Sequence, residues 1–191
     1  RVREDLEDRR RAWAGRFQQY TGPVAAKGVE DTAFYRYLRL SALNEVGGEP
    51  GEFGRSPDAF HARARFRGLN YPHNLLATAT HDHKRGEETR LRGAAIAERP
   101  DAWDELVQAL SEQTRGDRRG ARGPSRRDEY LLYQTLAALW ADSDRQELED
   151  RLWRYMRKAS RESKRHTSWI HPDPDYEEQL KTFVRDTVRN E

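Results

Sequence analysis

Apolar residues recur every three or four positions over most of the chain, which is the spacing of one face of an α-helix. The clearest helix start is Ser56-Pro57-Asp58, where a capping serine precedes a proline and an acidic residue. Gly22-Pro23 is expected to end the first helix, and Gly47-Gly48 the second. The pattern predicts helices over 1–19, from Asp31-Thr32 to before Gly47, and over 56–67, 87–99, 101–113, 130–140, 145–164 and 175–189.

Residues 75–80 break this pattern, because they form a short uncharged run with two threonines that ends at His81-Asp82. Such a run predicts a buried strand. A single strand has no neighbour to satisfy its backbone groups, so residues 72–84 are expected to be irregular or paired with another copy of the chain. The predicted fold is therefore mainly α, an orthogonal helical bundle with at most one short strand-like segment near 74–80. Two parts are expected, 1–86 and 87–191.

The charge of the chain is nearly balanced, with 35 Lys and Arg against 33 Asp and Glu and a net charge of +2. Proteins dedicated to nucleic acid or membrane surfaces normally carry a strong basic excess, so neither partner is expected. No apolar run approaches the ~20 residues of a membrane helix. The absence of cysteine excludes disulfides, thiolate zinc sites and cysteine nucleophiles, and a cytoplasmic location is expected. Because the first residue is arginine, we expect a trimmed product or a fragment of a longer protein.

Residues 115–127 contain three glycines, one proline and no large apolar side chain. This composition predicts a mobile Arg/Gly loop. Its arginines are able to contact phosphate, but arginine is abundant throughout the chain, which favours a solvated linker.

Asp82 is the first candidate for chemistry, because it closes the uncharged run and stands beside Lys84 and Arg85. In a (β/α)-barrel the reacting groups sit at the carboxyl ends of strands. The competing interpretation is that Asp82 caps the helix that follows. His81-Asp82-His83 also has the composition of a metal site, with His73 and His61 as further ligands. Neighbouring residues on a strand point to opposite faces, so no metal is expected there.

Two other segments carry polar groups suited to a sugar. Lys27-Gly28-Val29-Glu30-Asp31 forms a turn before a cluster of aromatic residues, although Asp31 has an equally simple role as a helix cap. His166-Thr167-Ser168-Trp169 follows a long helix and is either a tether or a platform for a sugar ring.

Longer motifs carry a family resemblance from about residue 16 to 185. The segment 17–37, which contains Lys27-Gly28-Val29-Glu30-Asp31, resembles the maltooligosyl trehalose synthases of the α-amylase superfamily. Further motifs are similar to the same family in the same order; they are 43–48, 76–85, 129–136, 158–169, and 175–177 through 183–184. The chain departs from the family at His83, Gly86 and Ala25, where Thr, Ser and Met are more usual.

The resemblance implies the helical insertion of a (β/α)8-barrel enzyme that converts the reducing-end α-1,4 bond of a maltooligosaccharide to an α,α-1,1 bond. Such a retaining reaction needs a nucleophile, an acid/base and a third, stabilising carboxylate. By resemblance Asp82 is that third carboxylate and His81 binds substrate beside it. The same resemblance assigns substrate binding to Lys84, Arg85, Lys27, Glu30 and Asp31. It implies no cofactor, and it implies that the remainder of the barrel supplies the other two carboxyl groups, so the isolated chain is expected to be inactive.

Two alternatives stay open from the residues alone. The first is a metal-dependent phosphohydrolase that uses His81-Asp82 as a doublet on a helix, with His61 and a distant aspartate as further ligands. The second is a helical binding module without enzymatic activity, whose Arg-rich loop contacts RNA or a protein partner.

Overall fold

Helix caps and apolar faces organise this chain into seven α-helices within residues 2–116, 123–140 and 144–189, the part that the computed structural model describes. The helices are α1 (Val2–Gly28), α2 (Pro57–Asn70), α3 (Glu87–Ala95), α4 (Pro100–Gly116), α5 (Arg126–Leu139), α6 (Arg145–Ser163) and α7 (Pro174–Arg189). Short 3-10 turns form at Ala33–Tyr35, Ser41–Leu43 and Ile96–Glu98. These described residues include no strand, which confirms the prediction of a mainly α fold.

Side-chain caps explain where several helices begin. The Ser56 hydroxyl accepts a hydrogen bond from Ala59 N at 3.2 Å, as the sequence predicts for the start of α2. The Asp144 carboxylate caps α6 by accepting from the backbone N–H groups of Gln146 and Glu147 at 2.8 and 3.3 Å. At the other end of α6, Lys164 adopts a left-handed conformation with φ of 54°. This residue turns the chain away from the helix axis.

The core lies where α5, α6 and α7 pack together, with Tyr35 and Leu38 from the segment after α1 beside them. Trp103, Val107 and Leu110 of α4 cover one side of it. Its fully buried members are mostly leucine, valine and aromatic side chains, including Leu132, Tyr133, Leu152, Met156, Leu180, Phe183, Val184 and Val188. Helices α1 and α2 lie outside this core, since α2 buries no residue and the apolar side chains Leu6, Trp13, Phe17, Tyr20 and Val24 of α1 are about half exposed or more.

The predicted end of the first helix at Gly22-Pro23 is wrong, because α1 continues through Pro23 to Gly28. Proline removes one backbone donor but keeps a helical φ, so neighbouring turns continue to hydrogen bond. Val29 N and Glu30 N still donate to Ala25 O and Ala26 O, at 2.8 and 2.9 Å.

The predicted helix from Asp31 to before Gly47 is also wrong, since only two 3-10 turns form there. The buried Asn44 side chain donates to the carbonyl groups of Phe34 and Tyr37. Gln134 of α5 donates to Leu38 O at 3.0 Å and accepts from Ser41 N at 2.7 Å. These side chains satisfy backbone groups that a continuous helix would have paired within itself.

Residues 75–80 form neither a strand nor a buried segment, so that interpretation is corrected. Leu75 and Leu76 are 99% and 75% exposed, and no neighbouring strand is available among the described residues. The irregular backbone of 72–84 agrees with the expectation for an unpaired strand sequence. Residues 117–122 of the predicted mobile loop 115–127 lie outside the described residues; of the rest, 115–116 belong to α4, 126–127 belong to α5, and 123–125 are irregular.

Candidate functional site

Asp31 contacts two other predicted site residues, Lys27 and Lys84. Lys27, at the end of α1, hydrogen-bonds the Asp31 carboxylate, and Lys84 Nζ lies 3.9 Å from Asp31 Oδ1. The hydrogen bond from Lys27 holds the pKa of the Asp31 carboxyl below its ordinary value, and the same contact raises the pKa of Lys27. Lys27 and Asp31 are therefore both charged at neutral pH.

The two lysines of this group differ sharply in exposure. The Lys27 side chain is 77% exposed, whereas the Lys84 side chain is 6% exposed. The Lys84 ammonium lies 5.5 Å from the ring centre of Tyr35 and 5.9 Å from that of Phe34. Lys84 is thus held between two aromatic rings and a carboxylate, a geometry that stabilises a buried cation.

Glu45 fixes the segment that carries Lys84 and Arg85. Its carboxylate, with the residue 6% exposed, accepts from Lys84 N at 2.7 Å and from Arg85 N at 3.1 Å. The Arg85 guanidinium is buried and donates to Ser41 O at 3.0 Å and to the Tyr155 hydroxyl of α6. These bonds tie the irregular segment to the turn after α1 and to the core. Sequence analysis includes Glu45 only within the 43–48 family motif and assigns it no role.

Asp82 and His81 lie in a tight turn that presents both side chains to solvent. His83 closes the turn by accepting from Thr80 N at 2.9 Å through Nδ1, while His83 N donates to Thr80 O at 3.2 Å. The Asp82 and His81 side chains are 68% and 90% exposed, with Nε2 of His81 3.2 Å from Oδ2 of Asp82. The interpretation of Asp82 as a helix cap is wrong, because the cap of α3 is Gly86.

Glu30 faces the turn that Glu45 begins, since its Oε1 accepts from Gly47 N at 3.4 Å. Gly47 has φ of +72°, a conformation that favours glycine. A Cβ on Gly48 would lie 2.8 Å from Glu45 O and 2.9 Å from Leu43 O, so this position requires a residue without a side chain. The Gly-Gly pair therefore shapes the backbone that places Glu45.

The described residues contain no group of three His, Cys, Asp or Glu side chains arranged to hold a metal ion. The His81-Asp82 doublet lies in a turn and not on a helix. The phosphohydrolase alternative requires a helix at that position, so the geometry does not support it. None of the helices described is both long and apolar enough to cross a membrane.

Comparison with known proteins places these features in a family context. The chain matches no protein-family model. It is 38% identical over 172 residues to a protein named putative maltooligosyl trehalose synthase in two Mycobacterium tuberculosis strains, which covers 87% of this chain and 21% of that relative. The chain thus spans about a fifth of the length of these curated relatives.

Solved structures agree with the sequence match. A maltooligosyltrehalose synthase from Arthrobacter ramosus superimposes with a TM-score of 0.80 at 38% identity, covering 93% of this chain and 22% of that structure. A hypothetical maltooligosyl trehalose synthase from Sulfolobus tokodaii gives a TM-score of 0.80 at 34% identity, covering 92% of this chain and 24% of the other. A third structure, of a maltooligosyl trehalose synthase, gives 0.85 at 32% identity over 100% of this chain and 25% of its own length. In sequence and in fold, the chain is homologous to a part of the maltooligosyl trehalose synthases.

Proposed function

We propose that this chain contributes the stabilising carboxylate and part of the reducing-end sugar site of a maltooligosyl trehalose synthase, with Asp82 as the stabilising residue. One observation carries the proposal: the turn with Asp82 is anchored through Glu45 to the segment that holds Asp31, yet the Asp82 carboxylate stays open to solvent. A buried framework with an exposed functional group is the arrangement expected of a positioned catalytic residue. The homology over 87% of the chain supports the reaction class.

The chemistry assigns a separate task to each exposed group. The bond rearrangement passes through an oxocarbenium-like state, in which hydrogen bonds from ring hydroxyls to a fixed carboxylate become stronger. Asp82 serves this task, and the adjacent His81 binds the same sugar. Lys27 and Glu30 contact the reducing-end glucose, where Lys27 directs its ammonium to a hydroxyl.

Lys84 and Arg85 take a different role in this proposal. Both side chains are buried and bonded within the protein, Lys84 to Asp31 and Arg85 to Ser41 and Tyr155. This burial favours positioning over direct substrate contact. Asp31 likewise acts by orienting Lys27, because its carboxylate accepts the hydrogen bond from the Lys27 ammonium.

The nucleophile and the acid/base are supplied by the remainder of the barrel in this proposal. A retaining mechanism places two carboxyl groups ~5 Å apart across the scissile bond. The 191-residue chain alone is therefore expected to form no trehalose-type product and to cleave no starch. A cytoplasmic location and a maltooligosaccharide partner, without nucleic acid or membrane, belong to the same proposal.

The test is a hybrid enzyme in which this chain replaces the matching segment of the Arthrobacter ramosus synthase. The hybrid is incubated with maltopentaose, and non-reducing product is measured. Asp82→Asn is expected to lower kcat by about 10² or more, because the neutral amide stabilises positive charge less well than a carboxylate. His83→Asn in the same turn is the matched variant, and it should retain more activity than Asp82→Asn. Equal activity of the Asp82→Asn hybrid and the unmodified hybrid would overturn the proposal.

A further inference from the structure

A groove of about 690 Å³ lies between the end of α1 and the loop that follows α6. Lys27 lines one side, and residues 164–171 with Glu162 line the other. Lys164 Nζ donates to the Thr32 hydroxyl at 2.8 Å, which joins the two sides. The volume is within the range of small-ligand sites, roughly 300–1,000 Å³. Lys27 therefore belongs both to this groove and to the proposed reducing-end site.

The loop that forms this groove is held by several hydrogen bonds. The buried Thr167 hydroxyl donates to Glu177 Oε1 at 2.7 Å and accepts from Asp173 N at 3.0 Å. Ser168 N donates to His171 O at 3.1 Å, and His171 N donates back to the Ser168 hydroxyl at 2.9 Å. Such a loop is ordered before any ligand arrives, so binding carries a smaller entropic cost.

Trp169 is the exposed aromatic surface of the groove. Its indole Nε1 donates to Glu162 Oε1 at 3.0 Å, and the Arg161 guanidinium lies 4.8 Å from the ring centre. Arg161 is itself fixed by two 2.7 Å hydrogen bonds to Glu177. Although it is held in this way, Trp169 remains 52% exposed. An indole that is fixed in orientation yet open to solvent is not explained by core packing.

The surroundings of Trp169 match the two-sided chemistry of a sugar. A pyranose ring offers a face of C–H groups, which packs on an aromatic ring, and a rim of hydroxyls, which need polar partners. Glu162, Lys164 and His166 line the same groove and supply such partners. Lys27 already bonds to the Asp31 carboxylate, and Lys164 already donates to the Thr32 hydroxyl.

From these contacts we infer that Trp169 is a platform for the reducing-end glucose of the maltooligosaccharide, with Lys27 at the other side of the same groove. The inference rests on the proposed function and adds a binding residue to it. Trp169 binds the saccharide and takes no part in bond rearrangement, so it acts on affinity.

The test uses the 191-residue chain with isotope-labelled tryptophan and maltopentaose as the probe. The indole N–H signal of Trp169, assigned from its loss in Trp169→Phe, is expected to shift during the titration. The signal of Trp140, which is 44% exposed at the C-terminal cap of α5, should stay in place and serves as the internal control. Cellopentaose, whose β-linked chain has a different shape, should produce a smaller shift.

Calorimetry gives the second measurement. Trp169→Leu retains apolar bulk but loses the ring face, so it should weaken maltopentaose binding by about tenfold, which corresponds to ~1.4 kcal/mol. Trp169→Phe should retain most of the affinity, and Trp140→Leu all of it. The inference is wrong if the Trp169 signal does not move, or if Trp169→Leu binds as the unmodified chain does. The titration measures binding and the Asp82→Asn hybrid measures turnover, so failure of either proposal is seen separately.

Discussion

The Glu45 carboxylate accepts a hydrogen bond of 2.7 Å from the backbone N–H of Lys84, a residue 39 positions further along the chain. This bond joins the Gly47-Gly48 turn to the irregular segment that carries Asp82. The segment thus gains a fixed point two positions from the proposed catalytic residue, in addition to the contacts of the Lys84 and Arg85 side chains.

Glu45→Ala should destabilise the chain by about 2 kcal/mol, because one buried and one partly buried backbone donor lose their side-chain acceptor. Urea unfolding followed by circular dichroism measures the change. Glu49→Ala, a few residues away on an exposed position, is the control and should change stability by less than about 0.5 kcal/mol. Equal stability of the two variants would contradict the anchoring role.

Gly48→Ala should also be destabilising, by about 1–3 kcal/mol, since the new methyl group would meet the Glu45 and Leu43 carbonyl oxygens at 2.8 and 2.9 Å. Neither oxygen belongs to a flexible side chain, so the turn itself must shift. Gly54→Ala is a suitable comparison, because no atom lies within 4 Å of its added Cβ. Thermal unfolding of both variants checks the difference, and a Gly48→Ala protein as stable as Gly54→Ala would refute it.

Substitutions of Lys27 and Lys84 should have different effects, the first on the products of the reaction and the second on the stability of the fold. In the hybrid enzyme, Lys27→Ala should shift the products from isomerisation towards hydrolysis with little loss of stability, because its side chain is 77% exposed. Lys84→Met should lower stability, because it removes a buried cation from Asp31 and two aromatic rings. Product analysis together with unfolding curves tests the pair. The same loss of stability in both variants would contradict the assigned roles.

Glu177 should make stability depend on pH in the acid range. Two hydrogen bonds from Arg161 hold the pKa of this carboxyl below its ordinary value of 4.5. The unfolded chain binds the proton more tightly, so the stabilisation is complete above pH 4.5 and is lost as the pH falls through the folded-state pKa.

Glu177→Gln is therefore expected to be less stable than the unmodified chain by about 2 kcal/mol at neutral pH, with a smaller difference near about pH 3. Urea unfolding at both pH values measures it. Glu178→Gln, at the exposed neighbouring position, provides the matched comparison. A difference between Glu177→Gln and the unmodified chain that does not change with pH would rule out this source of acid sensitivity.

The helix boundaries show how much of the fold is predicted by patterns among neighbouring residues. The start of α2 at Ser56-Pro57 and the spans of α6 and α7 agree closely with the sequence prediction, because caps and apolar spacing are properties of neighbouring residues. The segment from Asp31 to Gly47 does not agree with the prediction, because it forms two 3-10 turns although its composition is compatible with a helix. Its backbone groups bond to Asn44 and to Gln134, and Gln134 is 96 positions from its partner Leu38.

The candidate site likewise has features that the sequence predicts and features that only the tertiary structure shows. Sequence motifs alone make Asp82, His81 and the Lys27 turn candidates for chemistry, because the family resemblance lies in contiguous residues. Tertiary structure decides which of these groups is available: Asp82 and Lys27 face solvent, while Lys84 and Arg85 are buried in contacts with distant residues. Burial depends on which segments meet in space, and the bonds of Glu45 to Lys84 and of Arg85 to Tyr155 span 39 and 70 positions. Contacts over such separations leave no periodic signal in the chain, so only the folded structure distinguishes a candidate residue that is buried in supporting contacts from one that faces solvent.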